Sequence, residues 1–233
     1  AGMLNTLALN IRHKTKQGRF FEVGNVHYDK ADLPEERKML GLAFMGEGED
    51  FFTIKGAIVD LFGFLGIRDY RFTVGGSEYL CPGKKAEIFV TGEYGGEVGA
   101  VHPVVQREYE VSCAFIAELD FATMLKYKAV VNKYKALPKF PTVERDIAII
   151  VDNSTLSDEI CDIMYAVETD AIIENVMLFD VYRGIGIPEG KKSMAFSYTL
   201  RREDKTLNDS DITEATAKIL AALDSKIGAK LRQ

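Results

Sequence analysis

Apolar positions recur along the chain at two spacings, which predict a few helices among many short strands. Helical spacing marks residues 3–14, MLNTLALNIRHK, and residues 51–65, FFTIKGAIVDLFGFL. Short or alternating apolar runs between and after these helices predict strands in RFFEVGNVHY, MLGLAFMG, DYRFTV, AEIFVTG, EVGAV and EVSCAFIAELD. Because glycine-rich turns join several of these strands, the pattern favours an antiparallel sheet.

The second part of the chain follows a different order of elements. YKAVVNKYKALPKFP, from Tyr127 to Pro141, loses its periodicity and predicts a linker. After it come a strand in VERDIAIIVD, a helix in LSDEICDIMYAV, two strands in LFDVYRGIGIPEGKKSMAFSYTLRRED, a helix after the N-cap candidate Asn208, and a last strand in GAKLR. This βαββαβ order is ferredoxin-like. We therefore predict an α+β chain with domains at 1–137 and 138–233.

In a ferredoxin-like domain both helices cover one face of the sheet, which leaves the other face open. Alternation along the second and third strands sends a bulky set to the helix side, including Phe179, Val181, Met194 and Phe196. The open face then receives Asp180, Tyr182, Ser197, Thr199 and Arg201. An aromatic ring, hydrogen-bonding groups and charge are what a protein needs to bind unstacked nucleic-acid bases.

Charge restricts how such a face can bind a nucleic acid. The chain carries a net charge of −6, so binding through bulk electrostatics is disfavoured. Between Arg183 and Arg202, however, five basic residues stand against Glu189 alone. We predict local phosphate contacts from this stretch, through Arg183, Lys191, Lys192, Arg201 and Arg202. Arg145 and Asp146, in VERD, are interpreted as a structural ion pair.

Composition narrows the remaining classes of function. The hydrophobic content of 47% suffices for two modest cores, and no apolar run reaches the roughly 18 residues of a membrane span. Three cysteines without CxxC spacing predict a reducing, cytoplasmic setting. Three histidines lack metal-ligand spacing, and no paired acid motif indicates a hydrolase, so we predict neither a catalytic nor a metal site.

A second class of function remains open for the ferredoxin-like domain, namely a regulatory module that binds a small molecule such as an amino acid. Such a module would need a glycine-rich loop between its first strand and first helix. The chain has DNSTLSDE at that point, which favours a nucleic acid over an amino acid.

Long, ordered motifs resemble one known family. FPTVERDIAIIVD, LFDVYRGIGIPEGKKSMAFSYTLRRED, TLNDSDI and the terminal IGAKLR resemble the ferredoxin-fold anticodon-binding domain that ends bacterial phenylalanyl-tRNA synthetase β subunits. Upstream, MLNTLALNIRHK, RFFEVGNVHY, FFTIKGAIVDLFGFLGI and CPGKKAEIFVTGEYGGEVGAVHP resemble the catalytic-like class II core of the same subunit. One departure is Cys81, which stands where the family usually has a histidine before Pro-Gly.

The resemblance implies a role without chemistry of its own. In this family the α subunit is catalytic, within an α2β2 heterotetramer that uses ATP and Mg²⁺. This chain would then hold no cofactor, neither adenylate phenylalanine nor hydrolyse mischarged tRNA, and serve as a scaffold for the α subunit through residues 1–137. The expected partner of residues 138–233 is the anticodon stem-loop of tRNA(Phe).

Overall fold

The structure is a computed structural model, and residues 1–29, 33–129 and 137–232 are described. It forms two compact units, Ala1–Tyr134 and Lys135–Gln233. The linker expected between Tyr127 and Pro141 falls largely on residues 130–136, outside the described residues. Within the described ranges, none of the helices is long and apolar enough to cross a membrane.

The first unit is a six-stranded antiparallel sheet with helices on both faces. Its helices are α1 (Gly2–Arg12), α2 (Phe51–Leu65), α3 (Pro103–Glu108) and α4 (Phe121–Tyr127), and its strands are β1 (Gly18–Tyr28), β2 (Glu35–Met45), β3 (Tyr70–Thr73), β4 (Leu80–Val90), β5 (Glu93–Val101) and β6 (Ala114–Asp120). The strands lie in the order β1-β2-β6-β5-β4-β3, with every neighbouring pair antiparallel. The predicted antiparallel sheet is therefore confirmed.

Two apolar clusters hold this unit together, one on each side of the sheet. Ile54, Ile58 and Phe62 of α2 are fully buried in the first cluster, and Leu4 and Leu7 of α1 are buried in the second. Helix α2 begins where the Asp50 carboxylate accepts a hydrogen bond from the Thr53 amide at 2.7 Å. Because each helix covers its own face, the sheet lies in the middle of the unit.

The second unit is a four-stranded sheet with two helices. Its elements are β7 (Val143–Asp152), α5 (Ser157–Tyr165), β8 (Ile172–Tyr182), β9 (Lys191–Arg201), α6 (Asp209–Ile227) and β10 (Lys230–Leu231), in the strand order β10-β7-β9-β8. The order βαββαβ and the antiparallel pairing are those of a ferredoxin-like domain. The predicted α+β fold class is confirmed for both units.

The helix side of the second sheet forms a single core. Ile147, Ile149 and Val151 of β7 are buried there, together with Phe196 and Tyr198 of β9. Asn208 caps α6, since its side chain accepts a hydrogen bond from the Asp211 amide at 2.8 Å. Both helices are held on the same side of the sheet, so the opposite side is the open face.

Candidate nucleic-acid interface

The open face of the second unit is set by the register of β8 against β9. Tyr182 lies opposite Ser193, and Asp180 lies opposite Ala195. Residues directly opposite each other share a face of the sheet. Asp180 and Tyr182 therefore lie on the open face, together with Ser193 from the central strand.

Two irregularities in β8 decide which side chains share that face. The register shifts between Glu174 and Met177, and again between Leu178 and Asp180. With strict alternation, Val176 and Leu178 would share the face of Asp180 and Tyr182, whereas both in fact pack against the core. Phe179 is the extra residue at the second shift, and it is 54% exposed rather than directed to the helix side as predicted.

Tyr182 takes part in a stacked pair that crosses the open face. The guanidinium carbon of Arg232 lies 4.9 Å from the centre of the Tyr182 ring. Arg232 also donates a hydrogen bond to the Ser193 hydroxyl at 3.4 Å, and its amide donates to the Ala148 carbonyl oxygen at 2.8 Å. Arg232, directly after β10, is thereby attached to β7, and it supplies a cation to a ring on β8, three positions away in the strand order.

The residues around Tyr182 are suited to binding phosphate groups as well as bases. Arg183 follows directly and donates to the Asn153 side chain at 3.3 Å. Within the described residues, neither Arg183 nor Arg232 forms an ion pair with a carboxylate. Lys191 lies at the same end of the sheet, where its ammonium pairs with Asp152 at 2.8 Å. We call this region, with Asp180 and Ser193, the Tyr182 end of the open face.

Lys192 does not belong to this surface, and its assignment to phosphate contact is corrected. It lies opposite Val151, on the helix side, and is 7% exposed. Its ammonium donates to the carbonyl oxygens of Thr155 at 2.7 Å and Asn153 at 3.1 Å. Burial, followed by the nearby Arg183 charge, lowers the pKa of Lys192. The side chain fixes the loop between β7 and α5 instead of projecting into solvent.

The far end of the open face is acidic and already occupied by internal contacts. Arg201 is 8% exposed and pairs with Glu174 at 3.0 Å and Glu203 at 3.6 Å. Ser197 is buried and donates to the Glu144 carboxylate at 2.9 Å. Thr199 lies on the same face, opposite both Glu144 and Glu174. Because these partners are in place, Ser197 and Arg201 are less available to RNA than their positions in the sequence indicate.

The predicted ion pair between Arg145 and Asp146 is wrong. Arg145 lies opposite Tyr198 and Asp146 opposite Ser197, so successive residues of β7 project to opposite sides of the sheet. The Arg145 guanidinium donates to the Glu144 carbonyl oxygen at 3.0 Å instead.

The first unit carries a row of carboxylates across one face of its sheet. Glu22, Glu118, Glu97 and Glu87 occupy β1, β6, β5 and β4, with Gly41 of β2 completing the row. Glu97 is buried and accepts hydrogen bonds from the Ser77 amide at 2.7 Å, the Ser77 hydroxyl at 2.8 Å and the Tyr79 hydroxyl. Burial, then the charge of Glu97, raises the pKa of Glu118. We call this set the acidic row.

Family models match both parts of the chain. Residues 138–232 match the family model of the ferredoxin-fold anticodon binding domain, so the second unit is a domain of that class. Residues 1–121 match the model of the phenylalanyl tRNA synthetase beta chain CLM domain, which is more than half of the chain. The chain belongs to the phenylalanyl-tRNA synthetase β-chain family.

Individual relatives agree with this assignment, and this chain matches only part of the length of each. The β subunit of phenylalanine–tRNA ligase from Clostridium acetobutylicum is 36% identical over 99% of this chain and 29% of its own length. The subunit from Clostridium tetani is 38% identical over 100% of this chain and 30% of its own length. The match to a solved structure of a pyrrolysyl tRNA synthetase from Desulfitobacterium hafniense covers 53% of this chain and 45% of that one, at a TM-score of 0.44 and 15% identity. The chain thus spans about 30% of the length of these relatives.

Proposed function

We propose that residues 138–233 bind the anticodon stem-loop of tRNA(Phe) through the Tyr182 end of the open face. The observation that carries this proposal is the stacked pair of Tyr182 and Arg232, because it lies on the free side of a domain that matches an anticodon-binding family. An aromatic ring beside a guanidinium is suited to an unstacked base, which stacks on either group.

The neighbouring groups supply selectivity and affinity in this proposal. Asp180 is exposed and can accept hydrogen bonds from a base edge, whereas Ser193 is 2% exposed and its hydroxyl accepts the hydrogen bond from Arg232. Arg183 and Lys191 lie beside the ring and contact phosphates. A wrong base leaves a polar group buried without a partner, which costs about 1 to 3 kcal/mol. Holding the anticodon orients the tRNA so that its acceptor end reaches an active site elsewhere in the enzyme.

For residues 1–137 we propose a scaffold that contacts the catalytic α subunit of an α2β2 ligase. Large apolar side chains are exposed on its first helix and first strand, where Leu9 is 54%, Phe21 76% and Val23 46% exposed. Exposed apolar surface of this kind is typical of a protein interface.

The acidic row supports the proposal that this scaffold has no activity of its own. A site that binds ATP needs positive charge for the phosphates. The row instead places four glutamates across the sheet, and the loop of Ser77 and Tyr79 is hydrogen-bonded onto Glu97. In the proposal ATP and Mg²⁺ act in the α subunit, and this chain holds neither. Residues 1–233 alone should show no phenylalanine-dependent exchange of pyrophosphate into ATP, and measurable exchange would overturn the proposed inactivity.

The RNA-binding proposal is tested by anisotropy with labelled tRNA(Phe), the unchanged chain and four variants. Tyr182→Ala should weaken binding by about 1 to 3 kcal/mol, because the ring stacks on a base, whereas Tyr182→Phe should bind almost as well as the unchanged chain. Arg232→Ala should also weaken binding. Leu156→Ala is the control, since Leu156 is 46% exposed but lies at the start of α5 on the helix side. If Tyr182→Ala and Leu156→Ala bind alike, Tyr182 is not part of the site.

A further inference from the structure

The turn between β7 and α5 is hydrogen-bonded to the loop between β8 and β9. Asn153 lies in this turn, which is closed by a hydrogen bond from the Thr155 amide to the Asp152 carbonyl oxygen at 3.1 Å. The Asn153 amide donates to the carbonyl oxygen of Gly190, in the β8–β9 loop, at 3.0 Å. The Asn153 carbonyl oxygen accepts a hydrogen bond from the Lys192 ammonium at 3.1 Å. The backbone of Asn153 is therefore held on both sides.

The β8–β9 loop, residues 183–190, contains two successive turns of its own. One turn runs from Gly184 to Ile187 and the other from Pro188 to Lys191, and in each the last amide donates to the first carbonyl oxygen at 3.1 Å. The third residue of each turn is a glycine, with φ of 88° in the first turn and 79° in the second. A positive φ at this position is the mark of a type II turn, which favours glycine there. The loop next to Tyr182 thus has a defined conformation of its own.

The Asn153 side chain holds the first residue of this loop. Its Oδ1 accepts a hydrogen bond from Nε of Arg183 at 3.3 Å, and both residues are exposed. Within the described residues the N–H donors on Nη1 and Nη2 of Arg183 make no hydrogen bond, so they are free for a phosphate. Because the amide of Asn153 is neutral, it orients the guanidinium without cancelling its charge.

The other arginines between residues 183 and 202 are held by carboxylates instead. Arg201 pairs with Glu174 at 3.0 Å, and Arg202 pairs with Asp204 at 2.9 Å. A carboxylate that pairs with a guanidinium takes the place that a phosphate would occupy. Arg183 differs from both, because its partner leaves the positive charge uncompensated.

We propose that Asn153 is a positioning residue for phosphate binding by Arg183. This role rests on the proposed function, in which Arg183 contacts a phosphate of the anticodon stem-loop beside the Tyr182 ring. Hydrogen bonds to Gly190 and Lys192 fix the backbone of Asn153, and its side-chain oxygen fixes Nε of Arg183. An arginine that is ordered before the RNA binds loses less conformational freedom in the complex. Asn153 therefore contributes to affinity without touching the RNA.

A double-mutant cycle on residues 1–233 tests this coupling by anisotropy, with a labelled hairpin that carries the tRNA(Phe) anticodon, over a series of salt concentrations. Arg183→Ala should weaken binding severalfold and reduce the dependence of log K on log salt by about 1. Asn153→Ala should weaken binding by a smaller factor and have no further effect in the Arg183→Ala chain. Ser154→Ala, in the same turn, is the matched control and should bind like the unchanged chain. Additive losses from Asn153→Ala and Arg183→Ala would overturn the proposal.

Asn153→Asp separates positioning from a purely structural role. This change keeps a side-chain acceptor for Nε of Arg183 but adds a carboxylate that pairs with the guanidinium. The melting temperature should stay that of the unchanged chain, whereas the hairpin should bind more weakly than it does to Asn153→Ala. A purely structural Asn153 would tolerate aspartate, so unchanged RNA binding by Asn153→Asp would contradict the positioning role.

Tyr182→Ala in the same titrations separates this proposal from anticodon binding itself. If Tyr182→Ala weakens binding and Arg183→Ala does not, base stacking stands and the positioning role is overturned. If Arg183→Ala and Asn153→Ala are coupled while Tyr182→Ala binds normally, the positioning role stands and base stacking on Tyr182 is overturned. If none of the three changes affects binding, both proposals are overturned.

Discussion

Lys192 is an interior residue although it stands in the most basic stretch of the chain. Its ammonium donates hydrogen bonds to two backbone carbonyl oxygens, those of Asn153 and Thr155. Lys191, one residue earlier, lies opposite Asp152 and reaches the surface, whereas Lys192 lies opposite Val151. A single step along a strand therefore separates a lysine that can bind phosphate from one that holds a loop.

The structural role of Lys192 leads to a prediction about stability. Lys192→Met removes both hydrogen bonds that the ammonium donates. The carbonyl oxygens of Asn153 and Thr155 then lose this partner, which should lower the free energy of unfolding by about 1 to 3 kcal/mol. Lys191→Met, which removes an exposed ion pair, should cost about 0 to 1 kcal/mol. Urea denaturation of residues 1–233 measures both. Equal losses would show that Lys192 is no more structural than its neighbour.

Glu118 gives a prediction about pH. Its pKa in the folded chain is raised above the ordinary value of 4.5, so the folded state binds more protons than the unfolded state just above that pH. Stability therefore falls as the pH rises through this interval. Glu118→Gln should raise the melting temperature near neutral pH and lose this advantage below pH 4.5. A gain of the same size in both conditions would mean that the charge of Glu118 is not its cause.

At the scale of helices and strands, the apolar pattern and the helix N-cap residue predicted most of the fold. The helix at Phe51–Leu65 and the strand at Val143–Asp152 have the predicted limits, and Asn208 is the N-cap of α6. These features depend on neighbours in sequence, which a pattern can show. Helix α6 carries its apolar positions on one side, where Ile212, Ile219 and Leu223 are buried and Leu220 and Ile227 are partly buried against the same core.

Features that depend on partners across the sheet were not predictable in the same way. The two register shifts in β8 cannot be recognised from the alternation of its apolar and polar residues. They pack Val176 and Leu178 against the core and keep Asp180 and Tyr182 on the open face. Arg232 was missed because its contact with Tyr182 joins the residue after β10, at one edge of the sheet, to β8 at the other edge. Only the fold brings these residues together.

The cap of α6 can be tested directly. Asn208→Ala removes the side-chain acceptor of the Asp211 amide, and the free energy of unfolding should fall by about 0.5 to 2 kcal/mol. Asn208→Ser keeps an acceptor and should retain most of the stability. Thermal or urea unfolding followed by circular dichroism gives the comparison. If serine loses as much as alanine, the hydrogen bond seen at 2.8 Å does not stabilise the helix.

For the whole molecule, the distribution of charge matters more than its total. The chain carries a net charge of −6, and the far end of the open face holds Glu144 and Glu174. Uncompensated positive charge lies at the Tyr182 end, on Arg183 and Arg232. A nucleic acid should therefore bind through few phosphates, with a shallow dependence on salt and a marked dependence on its bases.

The most direct test of anticodon binding is fluorescence anisotropy with two labelled hairpins, one carrying the tRNA(Phe) anticodon and one a changed anticodon. Residues 1–233 are titrated into each hairpin at two salt concentrations. We expect the cognate hairpin to bind more tightly at both, and Lys191→Ala to weaken both hairpins alike while reducing the salt dependence. Equal binding of the two hairpins would contradict base recognition on the open face.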